Sequence, residues 1–489
     1  DNGRRWRCNI CGMQNDVPST YFSHLDNNGQ RRDRDQRPEL ARCSVEFVAP
    51  SDYMVRPPQP PVYFFVIDVS EPALVSGMLH STARAIKASL DELPGGNRTQ
   101  IGFITFDAHI HFYNLSAKLT SPQMLVVSDI TDVILPLPED ILVNLSDSRA
   151  VVEAFLDSLP TMFKTSSSTS ACTGPALNAA KRVIQHVGGK LCLFQSSLPT
   201  IGEGALKVRD NPRLLGSDKE HTMLNAEDMF YKNNAIDFSR LQISIDTFLF
   251  SGQYTDVATL AVLSKYTAGS TYFYPAYNST RDGAKYEHDL HHDLTRPTAF
   301  ESVMRVRATR GIRFCNFYGN YFIRGTDLLA LPNCTSDSSF SLDMAYDEAV
   351  LSAQAITIQA ALLYTSAAGE RRIRVHTMVI PVTASAAEMT ESLDIDCAMN
   401  LLAKQATEIA QKTGTHPSRD YILIVYTNTH ICHPYFTSLQ AAPVSIPSCL
   451  LLLPLYAMSL QKSTVIRGGN DTRTDERAYF QQLLLNMDI

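Results

Sequence analysis

The chain has 489 residues, of which 44% are hydrophobic and 19% are charged, and its formal net charge is -7. The apolar content is that of an ordinary globular protein, and the length predicts three or four domains because a domain usually holds about 100–200 residues. The negative net charge excludes a protein that binds nucleic acid through bulk positive charge.

The ten cysteines are spread along the chain, and only Cys8 and Cys11 form a close pair. Small secreted domains instead carry dense, paired cysteines. The sequence opens with polar and charged residues, and its most apolar run, 449–458, contains a proline and is shorter than the ~20 residues of a membrane span. These features predict a protein of the cytosol with reduced thiols.

The first sixty residues predict a short cysteine-containing knuckle followed by a linker. The charged segment 26–37 is typical of a loop, whereas 43–48 alternates between apolar and polar residues as a half-buried strand does. Residues 57–61 (PPQPP) predict a stiff, extended connector, since proline fixes its φ angle and lacks an amide N–H.

From residue 62 to residue 300 the sequence alternates between apolar strands and amphipathic helices. The run 62–67 (VYFFVI) is uniformly apolar and is followed by Asp68, as in a strand of a parallel sheet. This alternation predicts an α/β domain with a doubly wound sheet. Further strands are predicted at 100–106, 110–115, 190–195 and 240–250, and helices at 74–93, 226–238, 256–267 and 283–294.

Beyond residue 300 the periodicity changes twice. Up to residue 385 apolar residues recur at every second position, which predicts a β-sandwich, and from residue 386 the spacing is helical again. Strands are predicted at 303–308, 312–318, 321–324, 353–364 and 371–382, with a polar loop at 332–339. Helices are predicted at 396–413, 449–460 and 475–487.

Cys8 and Cys11 are the first candidates for chemistry. Two thiolates at this spacing can supply half of a tetrahedral zinc site, which needs four ligands. The sequence holds no second Cys-x-x-Cys pair. Two free thiols or a redox pair therefore remain alternatives to zinc binding.

Asp68 is a candidate cation ligand because it follows the first buried strand, at the edge where open α/β sheets bind their ligands. Asp68 and Ser70 match the start of the metal-ion motif of von Willebrand factor A domains, with Thr173 and Asp246 as plausible counterparts. Pro72 replaces a hydroxyl of that motif, so a hard cation would lose a ligand. We expect a fold of this type with a decayed metal site, and a Mg²⁺-dependent adhesion module is the alternative.

His288 and His292 share one face of a predicted helix, as zinc-binding histidines can. The residues between them do not include the general-base glutamate of metal hydrolases. A solvated helix face fits this charge-rich segment better, and a metal-dependent hydrolase remains the alternative from another functional class. Since no nucleophile motif or phosphate-binding glycine loop occurs, the sequence predicts no enzymatic activity.

Arg305 and Arg307 alternate on a predicted strand, so both side chains leave the same face, whereas Met304 and Val306 face a core. Two guanidinium groups on one rigid strand can bind carboxylates bidentately. The alternative is that these arginines only solubilise an exposed strand.

Long segments of the chain resemble the inner-coat subunits of the COPII vesicle coat. Residues 4–18 resemble the second half of their zinc finger, and 60–70 and 100–107 resemble the first strands of their von Willebrand A-like trunk domain. Further matches to that domain lie at 188–199, 253–260 and 268–275. The segments 304–312, 319–322 and 327–333 resemble the cargo-adaptor branch of the family more than its partner branch.

The resemblance implies a coat protein without enzymatic activity. Such a protein pairs with the other inner-coat subunit, works with the small GTPase of the coat and lies peripherally on the cytosolic side of the endoplasmic reticulum membrane. It binds the cytosolic tails of cargo and cargo receptors and packages them into vesicles bound for the Golgi. The alternative within the family is the partner subunit, which activates the coat GTPase.

The resemblance also assigns site residues. An arginine pair on the β-sandwich, here Arg305 and Arg307, contacts acidic residues of the sorting signals. An arginine before the third zinc cysteine, here Arg7, adds to the site. Gly12 stands where the family often has another basic residue, which puts that contact in doubt.

Cys8 and Cys11 match the third and fourth zinc ligands of the family. The first cysteine pair and the gelsolin-like domain of the family are not in this sequence, so we expect a part of a longer protein. The domains are expected at 1–20 (partial zinc finger), 21–61 (linker and first sandwich strand), 62–300 (trunk), 301–385 (β-sandwich) and 386–489 (helical domain).

Overall fold

The structure is a computed structural model that describes residues 3–54, 56–137, 139–347, 353–431 and 448–489. The amino-terminal region contains a two-stranded hairpin, a short helix and a strand that joins a later sheet. These elements are β1 (Arg5–Arg7), β2 (Gln14–Asp16), α1 (Pro38–Ala41) and β3 (Ser44–Val48).

The α/β domain is built on an eight-stranded sheet with helices packed against it. The strands are β4 (Val62–Asp68), β5 (Gln100–Phe106), β6 (Ile110–Asn114), β7 (Gln123–Val127), β8 (Leu142–Asn144), β9 (Gly189–Gln195), β10 (Ile243–Leu249) and β11 (Thr271–Phe273). The helices are α2 (Glu71–Val75), α3 (Met78–Ser89), α4 (Leu145–Met162), α5 (Thr173–Ile184), α6 (Met229–Arg240), α7 (Val257–Thr267) and α8 (Ser279–Thr295).

The strand order of this sheet is β11-β10-β9-β4-β5-β6-β7, with β8 paired to β5. Strands β4, β9 and β10 are buried along their whole length, as parallel strands covered by helices on both faces must be. The strands predicted from continuous apolar runs are confirmed.

A row of stacked aromatic rings crosses the sheet on one face. Phe65 of β4 stacks on Phe103 of β5 with 5.0 Å between ring centroids. Phe194 of β9 lies 6.4 Å from Phe65 and 5.0 Å from Phe248 of β10. Tyr272 of β11 continues the row, 4.6 Å from Phe248. Five neighbouring strands thus contribute one ring each to a continuous core layer.

The single helix predicted at 74–93 is two helices, α2 and α3. Gly77 between them has a φ of 78°, which side-chain-bearing residues rarely adopt. A Cβ atom at this position would overlap the Ser279 side chain of α8. Helical spacing of apolar residues continues on both sides of Gly77, so periodicity alone does not reveal the break.

The β-sandwich has a six-stranded sheet of order β14-β15-β12-β17-β18-β3 and a two-stranded sheet, β13-β16. Its strands are β12 (Thr298–Ala308), β13 (Ile312–Tyr318), β14 (Phe322–Arg324), β15 (Leu328–Thr335), β16 (Ser341–Tyr346), β17 (Ala355–Thr365) and β18 (Arg371–Pro381). Residues 43–48, predicted as the first sandwich strand, supply β3, which pairs with β18.

The predicted polar loop at 332–339 is wrong in its first half, because β15 extends to Thr335 and pairs with β12. Asn333 of this strand is only 2% exposed. Because Asn333 is polar, the hydropathy of this segment does not indicate a strand. The backbone of β15 nevertheless forms hydrogen bonds with β12. Strand β16 was not predicted either.

The carboxy-terminal region is helical, as predicted. It contains α9 (Ala386–Glu391), α10 (Ile395–Thr413), α11 (Thr415–Ile431), α12 (Leu453–Lys462) and α13 (Thr474–Asn486). Among the described residues, no helix has both the length and the apolar character needed to cross a bilayer.

Helix α13 is fastened to the α/β domain through buried charges. The Asp475 carboxylate accepts hydrogen bonds from the backbone N–H groups of Thr255 and Val257 at 2.7 and 2.9 Å. Arg477 forms an ion pair with Glu220 at 2.7 Å, and both side chains are almost fully buried. The first turn of α13 therefore contributes buried polar contacts between the helical region and the α/β domain.

Burial raises the pKa of Asp475 to about 6, above its ordinary value of 3.8. The folded state consequently holds a proton that the unfolded state has already released, so the stability that Asp475 contributes below pH 4 is lost as the pH rises to about 6. We expect this loss to reach up to about 3 kcal/mol.

The measurement compares urea unfolding of the wild type and Asp475→Asn between pH 4 and pH 7. Asparagine does not titrate, so it changes the free energy of unfolding by the same amount at every pH. The titration of Asp475 therefore appears only as a difference in the slope of this free energy against pH. Equal slopes for wild type and Asp475→Asn would contradict the prediction.

Candidate functional site

Arg305 and Arg307 lie on the exposed face of β12, as predicted. Val306 between them is buried, and Met304 packs in a cluster with Phe317 beneath the sheet. The alternation of β12 thus fixes the backbone of both arginines against the core and leaves their guanidinium groups on the surface.

The two arginines differ in their partners. Arg305 Nε donates a hydrogen bond to Asp327 Oδ2 at 2.7 Å, and this pair is partly exposed. Arg307 forms no ion pair with any residue that the structure describes. The Arg305 guanidinium is therefore bound to a carboxylate of the same chain, whereas the Arg307 guanidinium is available to a ligand.

The cysteine knuckle between β1 and β2 packs against the end of β12. Thr309 Oγ1 donates to the carbonyl oxygen of Asn9 at 3.2 Å, and the Arg310 N–H donates to the carbonyl of Ile10 at 3.0 Å. The knuckle and the arginine-bearing strand, about 300 residues apart in the sequence, therefore form one continuous surface.

The Cys8 thiol lies within the field of Arg307. The backbone N–H groups of Cys11 and Ile10 lower the pKa of Cys8, and the positive charge of Arg307 adds to this effect. A lowered pKa favours the thiolate, which is the form that binds zinc. Cys8 is half-buried and Cys11 is exposed.

Two sulfur ligands fit half of a zinc site. Within the described ranges, no further histidine, cysteine or carboxylate joins Cys8 and Cys11 in a group able to hold an ion. The knuckle loop is nevertheless closed by its own backbone, since the Cys8 N–H donates to the Met13 carbonyl and the Gly12 N–H donates to the Cys8 carbonyl, both at 2.9 Å.

Arg7 lies on β1, directly before the knuckle, and its Nε donates to the carbonyl oxygen of Gly12 at 3.1 Å. Gly12 has a φ of 74°, and a Cβ atom there would lie 3.3 Å from Arg7 Nη2. The glycine supplies no charge, but it leaves room for the Arg7 guanidinium to lie across the knuckle. The contact that a basic residue at position 12 would make stays in doubt, and Arg7 packs close to Gly12.

The structure corrects the predicted partner of Asp68. Asp246 is level with Cys192 in the sheet, and therefore with Phe65, three residues or about 10 Å before Asp68 along β4. Asp68 instead accepts hydrogen bonds from the backbone N–H and the hydroxyl of Ser196.

Thr173 does not turn toward Asp68 either, because its hydroxyl donates to Gln195 Oε1 at 2.8 Å. Both Ser196 donors bind Asp68 Oδ2, and Asp68 Oδ1 accepts the backbone N–H of Ser70. The residues matched to the metal-ion motif therefore serve as internal hydrogen-bond partners.

Two histidines of α8 contact neighbouring side chains, whereas His288 is exposed. His292 Nε2 lies 2.7 Å from Asp337 Oδ2, and His291 Nδ1 lies 3.1 Å from Ser89 Oγ. In the part of the chain that the structure describes, these histidines are not in a group of three ligands. The hydrolase alternative thus has no ligand set in the described residues.

Sequence reasoning missed two features of this surface. One is Asp327, which lies in a turn and has no sequence pattern that marks it as a partner of Arg305. The other is the contact between knuckle and sandwich, whose acceptors are the backbone carbonyls of Asn9 and Ile10, so the knuckle side chains do not mark it.

Comparison with known proteins gives matches along the whole chain. Four models of the Sec23/Sec24 family match in order: the zinc finger at residues 1–21, the trunk domain at 58–294, the beta-sandwich domain at 299–383 and the helical domain at 394–489.

Individual relatives agree with these matches. The protein transport protein SEC24 A of Arabidopsis thaliana is 50% identical over 98% of this chain and 46% of its own length. The human protein transport protein Sec24A is 42% identical over 97% of this chain and 44% of its own length. The crystal structure of the human COPII-coat protein Sec24c superposes with a TM-score of 0.94 at 35% identity, covering 100% of this chain and 66% of that one. The chain spans about half the length of the curated relatives it matches.

Proposed function

Because the chain belongs to the Sec23/Sec24 family, and its Sec24 relatives match it over nearly its whole length, we propose that it binds the sorting signals of cargo in the COPII coat. In this role it collects the cytosolic tails of cargo and cargo receptors into vesicles that travel from the endoplasmic reticulum to the Golgi. It performs no reaction itself. Its partners are the other inner-coat subunit and the small GTPase of the coat, and it lies peripherally on the endoplasmic reticulum membrane.

The observation that carries this proposal is the surface formed by β12 and the knuckle. It displays Arg305 and Arg307 on a rigid strand, and Arg7 stands next to Cys8, whose thiol is within the field of Arg307. Clustered guanidinium groups on fixed backbone suit the bidentate binding of carboxylates. An acidic peptide tail is the ligand that complements this charge.

We also propose that Cys8 and Cys11 supply two of four zinc ligands. Zinc bound to these thiolates would fix the knuckle loop in addition to its backbone hydrogen bonds. Since Arg7 donates to the Gly12 carbonyl in this loop and Thr309 of the chain after β12 donates to Asn9, a fixed loop would also fix Arg7 relative to the end of β12.

The test is titration of an acidic sorting peptide against arginine variants, followed by calorimetry. We expect Arg307→Ala to weaken binding by roughly 10–100-fold, since a hydrogen bond between charged groups contributes about 1.5–3 kcal/mol. Arg305→Ala should weaken binding less, because Asp327 already holds Arg305. The double variant should be at least as weak as Arg307→Ala.

Arg84→Ala is the matched control, since Arg84 is an exposed arginine of the α/β domain that pairs with Glu287. It should bind the peptide as the wild type does. Circular dichroism should show that all variants stay folded, because the replaced side chains are exposed. Unchanged peptide affinity in the double variant would remove Arg305 and Arg307 from the proposed site.

A further inference from the structure

Three lysines from two domains lie close together where the helical region contacts the α/β domain. Lys232 is on α6 and Lys265 is in the last turn of α7, whereas Lys412 is in the last turn of α10. Asn225 Nδ2 of the α/β domain donates to the carbonyl oxygen of Gln411 at 2.9 Å, which fixes the end of α10 here. The charges of Lys232 and Lys412 both act on Lys265, so the three ammonium groups form one lysine cluster.

Lys265 is the member of the lysine cluster that lacks a partner. Its side chain is partly buried, yet it forms no hydrogen bond or ion pair with any residue in the described part of the chain. The negative end of α7 offers it only a partial charge. Burial lowers the pKa of Lys265; the charge of Glu408 opposes this effect, and those of Lys412 and Lys232 add to it. A desolvated ammonium group without a counter-ion is costly, so an anion bound beside it would be favourable.

The carboxylate whose charge reaches Lys265 is bound to another lysine. Lys412 Nζ donates to Glu408 Oε2 at 2.9 Å. Lys232 Nζ lies 5.5 Å from the centroid of the Tyr266 ring, and a ring face compensates a positive charge less than a carboxylate does. Three positive charges thus share one negative charge, which leaves a local surplus of two although the whole chain has a net charge of -7.

The chemistry of the lysine cluster favours a phosphate group as its ligand. A lysine ammonium is a compact charge with three donors, whereas the planar fork of arginine is the better match for a carboxylate. A phosphorylated side chain carries close to two negative charges and three acceptor oxygens at neutral pH, which matches the surplus of the cluster. Because Lys265 is partly buried where two domains meet, a single side chain reaches it more readily than a flat membrane surface does.

We propose that Lys232, Lys265 and Lys412 bind a phosphorylated serine or threonine side chain of a partner protein. The phosphate oxygens would accept hydrogen bonds from Lys265 and Lys232. Lys412, whose side chain is 72% exposed, would add its charge at the rim. The cluster lies on elements other than β12 and the knuckle, so it does not depend on the proposed site for acidic tails. A protein bound here would contact two domains at once, and its phosphorylation would control its binding.

The test is a phosphorus NMR titration of N-acetyl-O-phosphoserine amide with the full chain at low ionic strength. We expect saturable binding of millimolar affinity, because so small a ligand makes few contacts, and weaker binding as salt is added. Lys265→Met keeps the length of the side chain but not its charge. It should weaken binding about 10-fold or more, since a hydrogen bond between charged groups is lost.

Lys285→Met is the matched control, because Lys285 is an exposed lysine that also lies near a ring, with Nζ 6.0 Å from the centroid of Tyr274. It should bind the phosphoserine probe as the wild type does. The corresponding glutamate probe, which carries one negative charge instead of two, should bind more weakly to all variants that retain the lysine cluster.

Amine acetylation of the wild-type chain gives a second readout that does not depend on the folding of a variant. Mass spectrometry compares the labelling of individual lysines with and without the phosphoserine probe. The probe should protect Lys265 and Lys232 and leave the labelling of Lys285 unchanged. Unprotected Lys265, or wild-type affinity in Lys265→Met, would overturn the proposal. So would binding of phosphoinositide vesicles through Lys265 without binding of the probe, which would indicate a membrane site instead.

Discussion

Lys190→Ala is expected to lower the free energy of unfolding of the α/β domain by about 3–5 kcal/mol. Lys190 is 1% exposed, and its Nζ lies 2.9 Å from an oxygen of Asp246 and 2.7 Å from an oxygen of Asp293. It also donates to the backbone carbonyl of Asp293 at 2.7 Å. Removing the ammonium group leaves Asp246 without this cation and Asp293 with Arg296 and the Tyr272 hydroxyl as its remaining partners, in a fully buried place.

Guanidinium unfolding followed by circular dichroism measures this loss. Lys87→Ala is the matched control, because Lys87 forms an exposed ion pair with Asp157 and such pairs contribute less than about 1 kcal/mol. The prediction fails if both lysine variants lose the same small amount. Lys190→Met tests the cause: it refills the lost volume but not the charge, so it should remain nearly as unstable as the alanine variant.

Phe248→Ala is expected to destabilise the same domain by about 3–5 kcal/mol through loss of packing rather than of charge. Phe248 is fully buried and lies in the aromatic row between Phe194 and Tyr272. It also packs edge-to-face with the Tyr286 ring of α8, with 6.2 Å between the ring centroids. Its removal opens a cavity that the rigid strands on either side cannot close.

The control for this prediction is Phe248→Leu, which keeps most of the buried volume and should cost less than half as much. Both variants are compared by the same denaturant titration. Truncation of Met124 to alanine, an exposed side chain of the edge strand β7, should have a much smaller effect. A loss of under 1 kcal/mol for Phe248→Ala would show that the row of rings is not a main source of stability.

The fold was largely predictable because its central strands have a strong physical signature. A strand covered on both faces must be apolar throughout, so β4 could be located from its sequence alone. The predicted elements were wrong where the hydropathy pattern does not determine the local structure. Gly77 breaks a helix without breaking the apolar spacing, and Asn333 is a polar residue inside β15.

The site was predictable only in part. The side-chain period of a strand places Arg305 and Arg307 on one face, and the structure agrees. The side-chain period does not indicate which arginine has an internal partner, because Asp327 lies in a turn that only the folded chain brings next to Arg305. The predicted pairing of Asp246 with Asp68 was wrong for a related reason. A motif match does not determine the register of the strands, which places Asp246 next to Cys192.

In the proposed binding site, the bond between Arg305 and Asp327 would turn the binding of a ligand into an exchange reaction. An incoming carboxylate has to replace one that is tethered within the same molecule and therefore present at high local concentration. The displaced Asp327 stays nearby and competes for Arg305 as soon as the ligand loosens. Such a built-in competitor shortens the lifetime of each complex, so a peptide would be held firmly only when several of its groups bind at once.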